Sequence, residues 1–572
     1  MKHIEKSSLT LTVGRGIAGM AVAATLAACG GGNGGSYSAL PPVAAAQPQP
    51  PAPSEDPCES LTGTALSGGT VTGAQSVVAG DYTPPNIAPG EPSPLTGLPD
   101  FCRVTVTMKP SPDSNVGVEV WLPKTNWNGR FLGTGNGGPA GAITYYTGLR
   151  EGLIRGFAVA NTDLGTARDI TTREGHPEQW VDFGNRATRE MTVAGKAIVN
   201  AYYNAPPKYS YFQGCSTGGQ QALTNAQRYP NDYDGLIVGA PGNNRTHLHM
   251  SFIWHHKAFN EPGATLTPGK AKMVMSKSIA ACVGKDGGAP TDTFLTDPRQ
   301  CNFDPDTLPR CTTGNGDDCL TDPQLTALKK AYAGPTNPRT GEQIYGGLPF
   351  GAEGLLYGPV EQAASWWPAA QFYQFYWVFG KGFDYKAFDF DHDVDTVDDR
   401  LAPLVNANSP DLSAFKARGG KLLMYSGLQD PGAPYHDALN YYERVVKAQG
   451  GNLAATQEHF RYYLVPGMGH CSGLDGGNGG TEFGQPYSAV VPSSAKGDIL
   501  IQMTEWVEKQ KAPEEIIGTS YTPSGQIATQ RPICVYPKLP TYQGGDATKA
   551  SSFACKDAPR GNAPAPSDRY LN

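Results

Sequence analysis

Short apolar segments that end at or beside a glycine recur along the chain. They are GRFLGT (129–134), KYSYFQG (208–214), GGKLLMYSG (419–427) and HFRYYLVPG (459–467). Each has the length of a buried strand rather than that of a helix. The segment after the second one, GGQQALTNAQRYP (218–230), is instead rich in helix-forming residues. The pattern therefore predicts strands that end in short turns, with a helix after the second of them.

A serine lies in the turn between the second strand and its helix. Ser216 is the centre of Gly214-Cys-Ser-Thr-Gly218, a match to the G-x-S-x-G pattern of a nucleophile elbow. Such a turn is strained, and side chains two positions to either side of the serine would clash. The chain has 71 glycines, so a chance match is the alternative. The strand before Ser216 and the helix after it favour a nucleophile.

An acid and a base follow the later strands in the order that a hydrolase of this type requires. Asp430 lies in a turn just after GGKLLMYSG, and His470 comes just after HFRYYLVPG. Serine, aspartate and histidine in this order, each after a strand, are typical of the α/β-hydrolase fold. In that chemistry the histidine takes the serine proton, while the aspartate fixes the histidine tautomer. The alternatives are a turn-capping aspartate and a structural histidine.

An oxyanion hole needs two backbone N–H groups near the nucleophile. Thr217, directly after Ser216, is the first candidate donor. The strand GRFLGT leads into Gly135-Asn136-Gly137-Gly138, and we expect the second donor to be Gly138, with Gly137 next. A glycine cluster that only forms a turn is the alternative.

The first residues predict export. Lys2, Lys6 and Arg15 precede an apolar run that is too short to span a bilayer as a mature helix, as in a signal peptide. The run ends Leu-Ala-Ala-Cys29-Gly, which resembles a bacterial lipobox with Cys29 as the lipidated residue; a plain signal peptide is the alternative. We therefore assign 1–28 to a lipoprotein-type signal peptide and the Gly- and Pro-rich residues 29–57 to a flexible tether. The protein would be periplasmic, anchored to the outer membrane, on the cell surface or secreted.

Without Cys29, an even number of the 11 cysteines remains in an oxidising compartment, which allows five disulfides. Closeness in sequence favours Cys282 with Cys301, Cys311 with Cys319, and Cys534 with Cys555, and leaves Cys58, Cys102, Cys215 and Cys471. Cys215 precedes Ser216 and Cys471 follows His470. A bond between them would hold nucleophile and base together, because a disulfide keeps its Cα atoms roughly 5.5–6 Å apart. From spacing alone, other partners for both cysteines are equally open.

Charge and composition narrow the classes of partner. The net charge is −7 and the basic residues are scattered, which argues against a nucleic-acid or anionic-membrane surface. We expect a small-molecule substrate, no nucleic acid, and membrane contact only through the N-terminal lipid. No oligomeric state is predicted.

Together these residues resemble the tannase and feruloyl esterase family, to which bacterial mono(hydroxyethyl) terephthalate hydrolase also belongs. The resemblance runs from about Cys58 to Cys555 and is strongest in YFQGCSTGGQQALTNAQRYPNDYDGLIVGAP, WNGRFL, YSGLQDPGAPYHDALNYYE and LVPGMGHCSG. It implies an α/β-hydrolase catalytic domain (58–243 and 417–572) with a large inserted lid domain (244–416). It also implies that Cys215 and Cys471 are bonded.

The resemblance implies further features of the lid. Relatives bind a structural Ca²⁺ between two cysteines, and Asp286 and Asp292 are the candidate ligands here, although Val283 stands where relatives have an aspartate. The aromatic stretch SWWPAAQFYQFYWVFGKGF suggests core packing together with an aromatic acyl pocket, for which Trp366 and Trp367 are the candidates. We interpret His247, His249, His255 and His256 as lid surface, because no ligand spacing supports a metal.

These observations predict a serine carboxylesterase without an organic cofactor that hydrolyses esters of phenolic or aromatic acids through an acyl-enzyme. A terephthalate monoesterase, or another small-ester hydrolase, is the alternative with the same chemistry. The resemblance gives that enzyme a lid arginine for the free carboxylate, and no arginine occurs between Trp366 and Lys381. A lipoprotein that captures its substrate without turnover is the alternative of another class.

Overall fold

The computed structural model describes residues 57–87, 92–144, 146–166, 175–473, 479–488, 490–492 and 494–558. The predicted signal peptide, Cys29 and nearly all of the tether lie outside these residues. The strands, numbered in chain order, are β1 (Ala65–Leu66), β2 (Gly69–Val77), β3 (Gly80–Tyr82), β4 (Leu95–Leu98), β5 (Phe101–Met108), β6 (Val116–Pro123), β7 (Arg130–Thr134), β8 (Ala158–Thr162), β9 (Tyr209–Cys215), β10 (Gly235–Gly239), β11 (Lys421–Gly427), β12 (Phe460–Val465), β13 (Glu515–Tyr521), β14 (Ile527–Cys534), β15 (Lys538–Tyr542) and β16 (Phe553–Asp557).

Helices fill most of the connections between these strands. They are α1 (Tyr146–Ile154), α2 (Pro177–Val181), α3 (Ala187–Tyr203), α4 (Thr217–Arg228), α5 (Arg245–Phe259), α6 (Pro268–Cys282), α7 (Asp322–Ala333), α8 (Pro359–Gln362), α9 (Trp367–Gln371), α10 (Tyr373–Phe379), α11 (Asp393–Val405), α12 (Ser413–Ala417), α13 (Tyr435–Ala448), α14 (Leu453–Gln457) and α15 (Ile499–Lys509). Among the described residues, none of these helices is both long enough and apolar enough to cross a membrane.

One mixed sheet organises the described chain. Its strand order is β1-β2-β5-β6-β8-β7-β9-β10-β11-β12. The first part of the sheet is antiparallel and contains β1, β2, β5, β6 and β8. The second part is parallel and contains β8, β7, β9, β10, β11 and β12. The carboxyl ends of the parallel strands therefore meet at one edge, which is where such sheets carry their sites. The α/β-hydrolase fold predicted from the sequence is confirmed.

The four apolar segments that predicted strands are β7, β9, β11 and β12. They are apolar throughout because both faces of the sheet are covered. In β11, Leu422 and Met424 join one buried cluster with α3, α4 and α13, while Leu423 and Tyr425 join another with α1 and α15. Alternate residues of one strand thus supply two separate cores, as the period of two requires.

Residues 244–416, predicted as a lid, form helices α5 to α11 and most of α12. Helices α6 and α7 have a buried cluster of their own, whereas the aromatic residues of α9 and α10 join the cluster on one face of the central sheet. This segment packs within the same compact unit as the rest of the described chain.

Five disulfides connect the described chain. They are Cys58–Cys102, Cys215–Cys471, Cys282–Cys301, Cys311–Cys319 and Cys534–Cys555. The three pairs favoured by closeness in sequence are present. Of the four remaining cysteines, the two beside Ser216 and His470 are bonded to each other, so Cys58 and Cys102 form the fifth bridge.

Candidate active site

Ser216 occupies a strained turn at the carboxyl edge of the sheet. Strand β9 ends at Cys215, helix α4 begins at Thr217, and Ser216 between them has φ 64° and ψ −117°. A non-glycine residue adopts positive φ only at a cost that the surroundings must compensate. Here the Ser216 N–H donates to the Gly239 carbonyl (3.0 Å), and its carbonyl accepts from the Gly242 N–H (3.2 Å). Ser216 as a residue is partly exposed, whereas Cys215 and Thr217 on either side of it are buried.

The glycines around Ser216 are required by close backbone approach. A Cβ at Gly214 would lie 2.5 Å from the carbonyl carbon of Gly218, and one at Gly135 would lie 2.4 Å from the Gly218 Cα. Both distances are shorter than any side chain tolerates. The expected clash two positions from the serine is therefore present, and it involves the loop after β7 as well.

Asp430 and His470 form a hydrogen-bonded pair at the ends of β11 and β12. Nδ1 of His470 lies 2.8 Å from Oδ2 of Asp430, which is fully buried. The other oxygen of Asp430 accepts the N–H groups of Gly432 (2.7 Å) and Ala433 (2.8 Å). Since a carboxylate can only accept, Nδ1 carries the proton and Nε2 is left as the basic nitrogen.

The disulfide Cys215–Cys471 joins the two segments that carry nucleophile and base. Its Cα atoms are 6.0 Å apart although 256 positions separate the cysteines in sequence. Ser216 and His470 each adjoin one of the bonded residues. Both cysteines are buried, and Cys471 has φ 62°, so the bridge sits at the turn that presents the histidine.

The loop after β7 packs directly on the first turn of α4. The Gly218 N–H donates to the Asn136 carbonyl (2.7 Å), and the Thr217 hydroxyl donates to the Gly138 carbonyl (2.7 Å). Thr217 begins α4, so its N–H has no acceptor within the helix. The two residues predicted to form the oxyanion hole, Thr217 and Gly138, are thus in contact. Gly138 has φ 52°, a conformation that favours glycine.

Sequence reasoning missed two residues of this region, Tyr357 and Arg245. The ring of Tyr357 meets the His470 ring edge-to-face, with 5.2 Å between centroids. Arg245 donates to the Thr217 hydroxyl (2.8 Å) and to the Gly138 carbonyl (3.0 Å). The available signal for Arg245 was its place just after β10, at the same sheet edge as Ser216. Tyr357 lies in a loop whose fold no local pattern predicts.

The two tryptophans proposed for the acyl pocket differ in environment. Trp367 is fully buried and its ring lies 6.0 Å from that of Tyr357, whereas Trp366 is 50% exposed and contacts Trp367. Most of the neighbouring aromatic stretch is core: Phe372, Tyr373, Phe375 and Trp377 are buried. Trp367 is therefore connected to His470 through Tyr357, and Trp366 lies further out.

The expectation that four histidines lie on the lid surface is wrong. His247, His249, His255 and His256 are all buried, because α5 is covered on nearly every side. Internal partners make this possible for three of them. His247 contacts Asp398 (2.6 Å) and the Ile344 carbonyl (3.1 Å), while His249 and His256 contact the Gln371 and Gln362 carbonyls.

The proposed calcium ligands do not fit a cation site. Asp292 pairs with the guanidinium of Arg531 (2.5 Å) and accepts the Ala289 N–H (2.9 Å). Asp286 accepts the N–H groups of Gly288, Thr296 and Asp297. Burial raises the pKa of both carboxyls, although Arg531 opposes this for Asp292. Their oxygens are committed to N–H donors, and the described residues contain no cluster of three metal-ligating side chains.

Comparisons with known proteins identify relatives of this chain. The family model described as tannase and feruloyl esterase matches residues 102–556. An uncharacterized esterase of Xanthomonas campestris pv. campestris is 37% identical over 548 residues, covering 88% of this chain and 92% of that protein. Feruloyl esterase B of Aspergillus niger is 31% identical over 466 residues, with 80% and 87% covered. The crystal structure of feruloyl esterase B from Aspergillus oryzae superposes with a TM-score of 0.77 at 25% identity, over 87% of this chain and 99% of that one.

Proposed function

Because the chain belongs to the tannase and feruloyl esterase family and is a carboxylic ester hydrolase, we propose that it works as a serine esterase with Ser216, His470 and Asp430 as its triad. The observation that carries this proposal is the hydrogen bond between His470 Nδ1 and Asp430 Oδ2. The disulfide Cys215–Cys471, which joins the segments that carry Ser216 and His470, also supports it. We further propose that the acyl group is that of a phenolic or aromatic acid, as the names of the relatives suggest.

The proposed reaction has two halves. Ser216 Oγ attacks the ester carbonyl carbon while its proton passes to His470 Nε2, and the carbonyl oxygen becomes an oxyanion. The N–H groups of Thr217 and Gly138 hold that oxyanion. His470 then gives its proton to the leaving alcohol, and the acyl group remains on Ser216. Water repeats the sequence with His470 again as base, which releases the acid and restores the serine.

Asp430 acts in this scheme by holding the histidine. Three acceptor contacts fix its carboxylate, two from backbone N–H groups and one from the ring. A carboxylate fixed in this way keeps the proton on Nδ1 and stabilises the imidazolium that forms during transfer. The partly exposed ring of His470 lies against Tyr357, which places a lid side chain at the base.

Labelling and turnover test the triad together. We expect a fluorophosphonate probe to modify Ser216 in the wild type and p-nitrophenyl acetate to give turnover. Ser216→Ala should lose both without a change in melting temperature. A protein that only captures its substrate would show neither labelling nor turnover in the wild type. Activity retained in Ser216→Ala would contradict the assigned nucleophile.

A substrate panel tests the acyl preference. Methyl ferulate, a gallate ester, a terephthalate monoester and a short aliphatic ester are compared by kcat/KM. We expect the ferulate or gallate ester to rank first. A terephthalate monoester in first place would favour the alternative named above, and an aliphatic ester in first place would refute the aromatic preference.

Export and lipid anchoring at Cys29 are a separate proposal, supported by the sequence pattern alone. We expect radiolabelled palmitate to be incorporated when the chain is expressed in a bacterium, and the protein to fractionate with membranes. Cys29→Ala should abolish incorporation. Membrane association that survives this substitution would argue against a lipid anchor.

A further inference from the structure

Arg245 is a buried arginine at the edge of the sheet that carries Ser216. It is the first residue of α5 and is only 3% exposed. In the described part of the chain it forms no ion pair with a carboxylate. Its guanidinium instead lies 5.2 Å from the centroid of the Phe183 ring. A buried cation without a carboxylate is costly, so its hydrogen bonds must compensate for lost hydration.

Those hydrogen bonds go to three different elements of the site. Nη1 donates to the Thr217 hydroxyl (2.8 Å) and to Oε1 of Gln220 (3.4 Å), both on α4. Nη2 donates to the Gly138 carbonyl (3.0 Å) in the loop after β7, and to the hydroxyl of Tyr373 at the start of α10. One side chain thus connects the helix after the nucleophile, the oxyanion loop and the lid.

We propose that Arg245 is a positioning residue of the oxyanion hole, which holds Thr217 and Gly138 at a fixed separation and places a positive charge beside the oxyanion. This inference rests on the proposed function. Arg245 binds the Thr217 hydroxyl and the Gly138 carbonyl, so it contacts both residues whose N–H groups are proposed to hold the oxyanion. The Thr217 hydroxyl also donates to the Gly138 carbonyl, so Arg245, Thr217 and Gly138 are each hydrogen-bonded to the other two.

The chemistry of the guanidinium suits this role better than substrate binding. Four of its five N–H groups already have protein acceptors, and only Nε–H lacks one among the described residues. A free carboxylate on a substrate would have to displace these bonds. A lysine could supply the charge, but its single nitrogen cannot reach these four acceptors in the geometry of a planar fork.

The neighbouring histidine leaves Arg245 as the local cation. His249 lies one turn along α5, and its ring meets that of Tyr373 edge-to-face at 5.2 Å. Burial, together with the charge of Arg245, holds the pKa of His249 well below its usual range. His249 is therefore neutral at the pH where the enzyme would work, and the positive charge beside the hole is that of Arg245.

Two substitutions separate geometry from charge. Arg245→Lys keeps the charge and breaks the bridge, whereas Arg245→Gln removes the charge as well. We expect kcat to fall about 10- to 100-fold in the lysine variant and further in the glutamine variant, each with less than about a threefold change in KM. Loss of a direct oxyanion donor costs about 100- to 1000-fold, and an indirect role should cost less.

A transition-state analogue provides the readout that a purely structural role would not move. With phenylboronic acid, Ser216 Oγ bonds to boron, its proton passes to His470, and boron becomes tetrahedral and anionic, as in the reaction. We expect the inhibition constant to rise in proportion to the loss of kcat, while the affinity for the product acid stays unchanged. Arg461→Met is the matched control: Arg461 is also largely buried, pairs with Glu514 at the opposite end of β12, and should leave kcat and boronate affinity unaltered.

Tyr373→Phe provides a second route if an Arg245 variant does not fold. It removes only the lid acceptor, and we expect a several-fold loss of kcat with the same rise in the boronate constant. Unchanged kcat and boronate affinity in a folded Arg245 variant, or in Tyr373→Phe where neither Arg245 variant folds, would overturn the inference. Failure of the proposed function would look different, because the wild type itself would then show no fluorophosphonate label on Ser216.

Discussion

The bridge Cys215–Cys471 should affect both stability and turnover, and the two effects can be separated. The perturbation is the double substitution Cys215→Ala with Cys471→Ala. The bond closes a loop of 256 positions in sequence. In the chain-entropy treatment, opening such a loop lowers the free energy of unfolding by about 5.5 kcal/mol, an upper value because denatured chains retain structure. This is a large part of the stability of an ordinary domain.

The effect on turnover comes from the position of the bridge. Its two residues adjoin Ser216 and His470, and the backbone of Cys471 is in the left-handed region at the turn that presents the histidine. Without the bond, the turn after β12 gains freedom relative to the nucleophile elbow. A misplacement of roughly 1 Å costs about 100-fold in rate. We therefore expect kcat/KM to fall about 10- to 100-fold at temperatures where the variant remains folded.

Cys311→Ala with Cys319→Ala is the control. That bridge spans 8 positions, and both cysteines are partly exposed in the region predicted as lid. The same treatment gives a loss of about 2.5 kcal/mol, and turnover should be unchanged. Urea titration measures stability, and p-nitrophenyl acetate hydrolysis below the transition measures turnover. The reasoning fails if the folded Cys215/Cys471 variant keeps wild-type kcat/KM, or if the control loses as much activity.

Three further perturbations test single contacts. Burial lowers the pKa of His255 from 6.5 to about 4, so between these values the unfolded chain binds the proton more strongly. His255 should contribute up to about 1.4 kcal/mol per pH unit to the loss of stability below pH 6.5, and His255→Leu should reduce the slope in urea titrations by that amount. Arg531→Met should lower the free energy of unfolding by about 3–5 kcal/mol, because it leaves Asp292 buried without its cation. Adding Asp292→Asn should restore most of this loss. EDTA should not shift the melting temperature of the wild type. Gly432→Ala would place a methyl carbon 3.1 Å from His470 Cγ and push the ring out of position. We therefore expect about a tenfold loss of kcat with an unchanged melting temperature. A kcat equal to that of the wild type would show that the histidine tolerates the added methyl group.

The local parts of the site were predictable because they depend on short-range geometry. A strand, a glycine-flanked serine and a helix define the elbow within one short segment, and β9, Ser216 and α4 follow this pattern over residues 209–228. Asp430 and His470 were predicted in the same way, each in a turn after an apolar strand, and they are hydrogen-bonded to each other. The parallel sheet then brings these separate turns to one edge. The fold class therefore predicted that the turns lie close together, which local patterns alone could not do.

The parts that failed depend on contacts between distant segments. Histidine is polar on hydrophobicity scales, so the sequence favours exposure of the α5 histidines. Inside the protein, however, Asp398 and backbone carbonyls supply hydrogen-bond partners for His247, His249 and His256. Asp292 looked like a cation ligand until the fold placed Arg531, 239 positions away, against it. No periodicity or spacing along the chain encodes such partners, so burial and pairing had to come from the structure.

Contacts between distant segments restrict the motion of the turns at this site. The groups proposed for catalysis lie in turns after β7, β9, β11 and β12, and turns are the least constrained parts of a fold. Several of these turns are tied to another element: the disulfide joins the elbow to the histidine turn, Arg245 and Thr217 join the loop after β7 to α4, and the His470 ring contacts Tyr357 of residues 244–416. Preorganisation of this kind lowers the barrier because donors need not reorganise as charge develops. Breaking any one link should therefore reduce kcat more than substrate affinity, whereas substitutions at Trp366, which lies outside this set of links, should change KM or nothing.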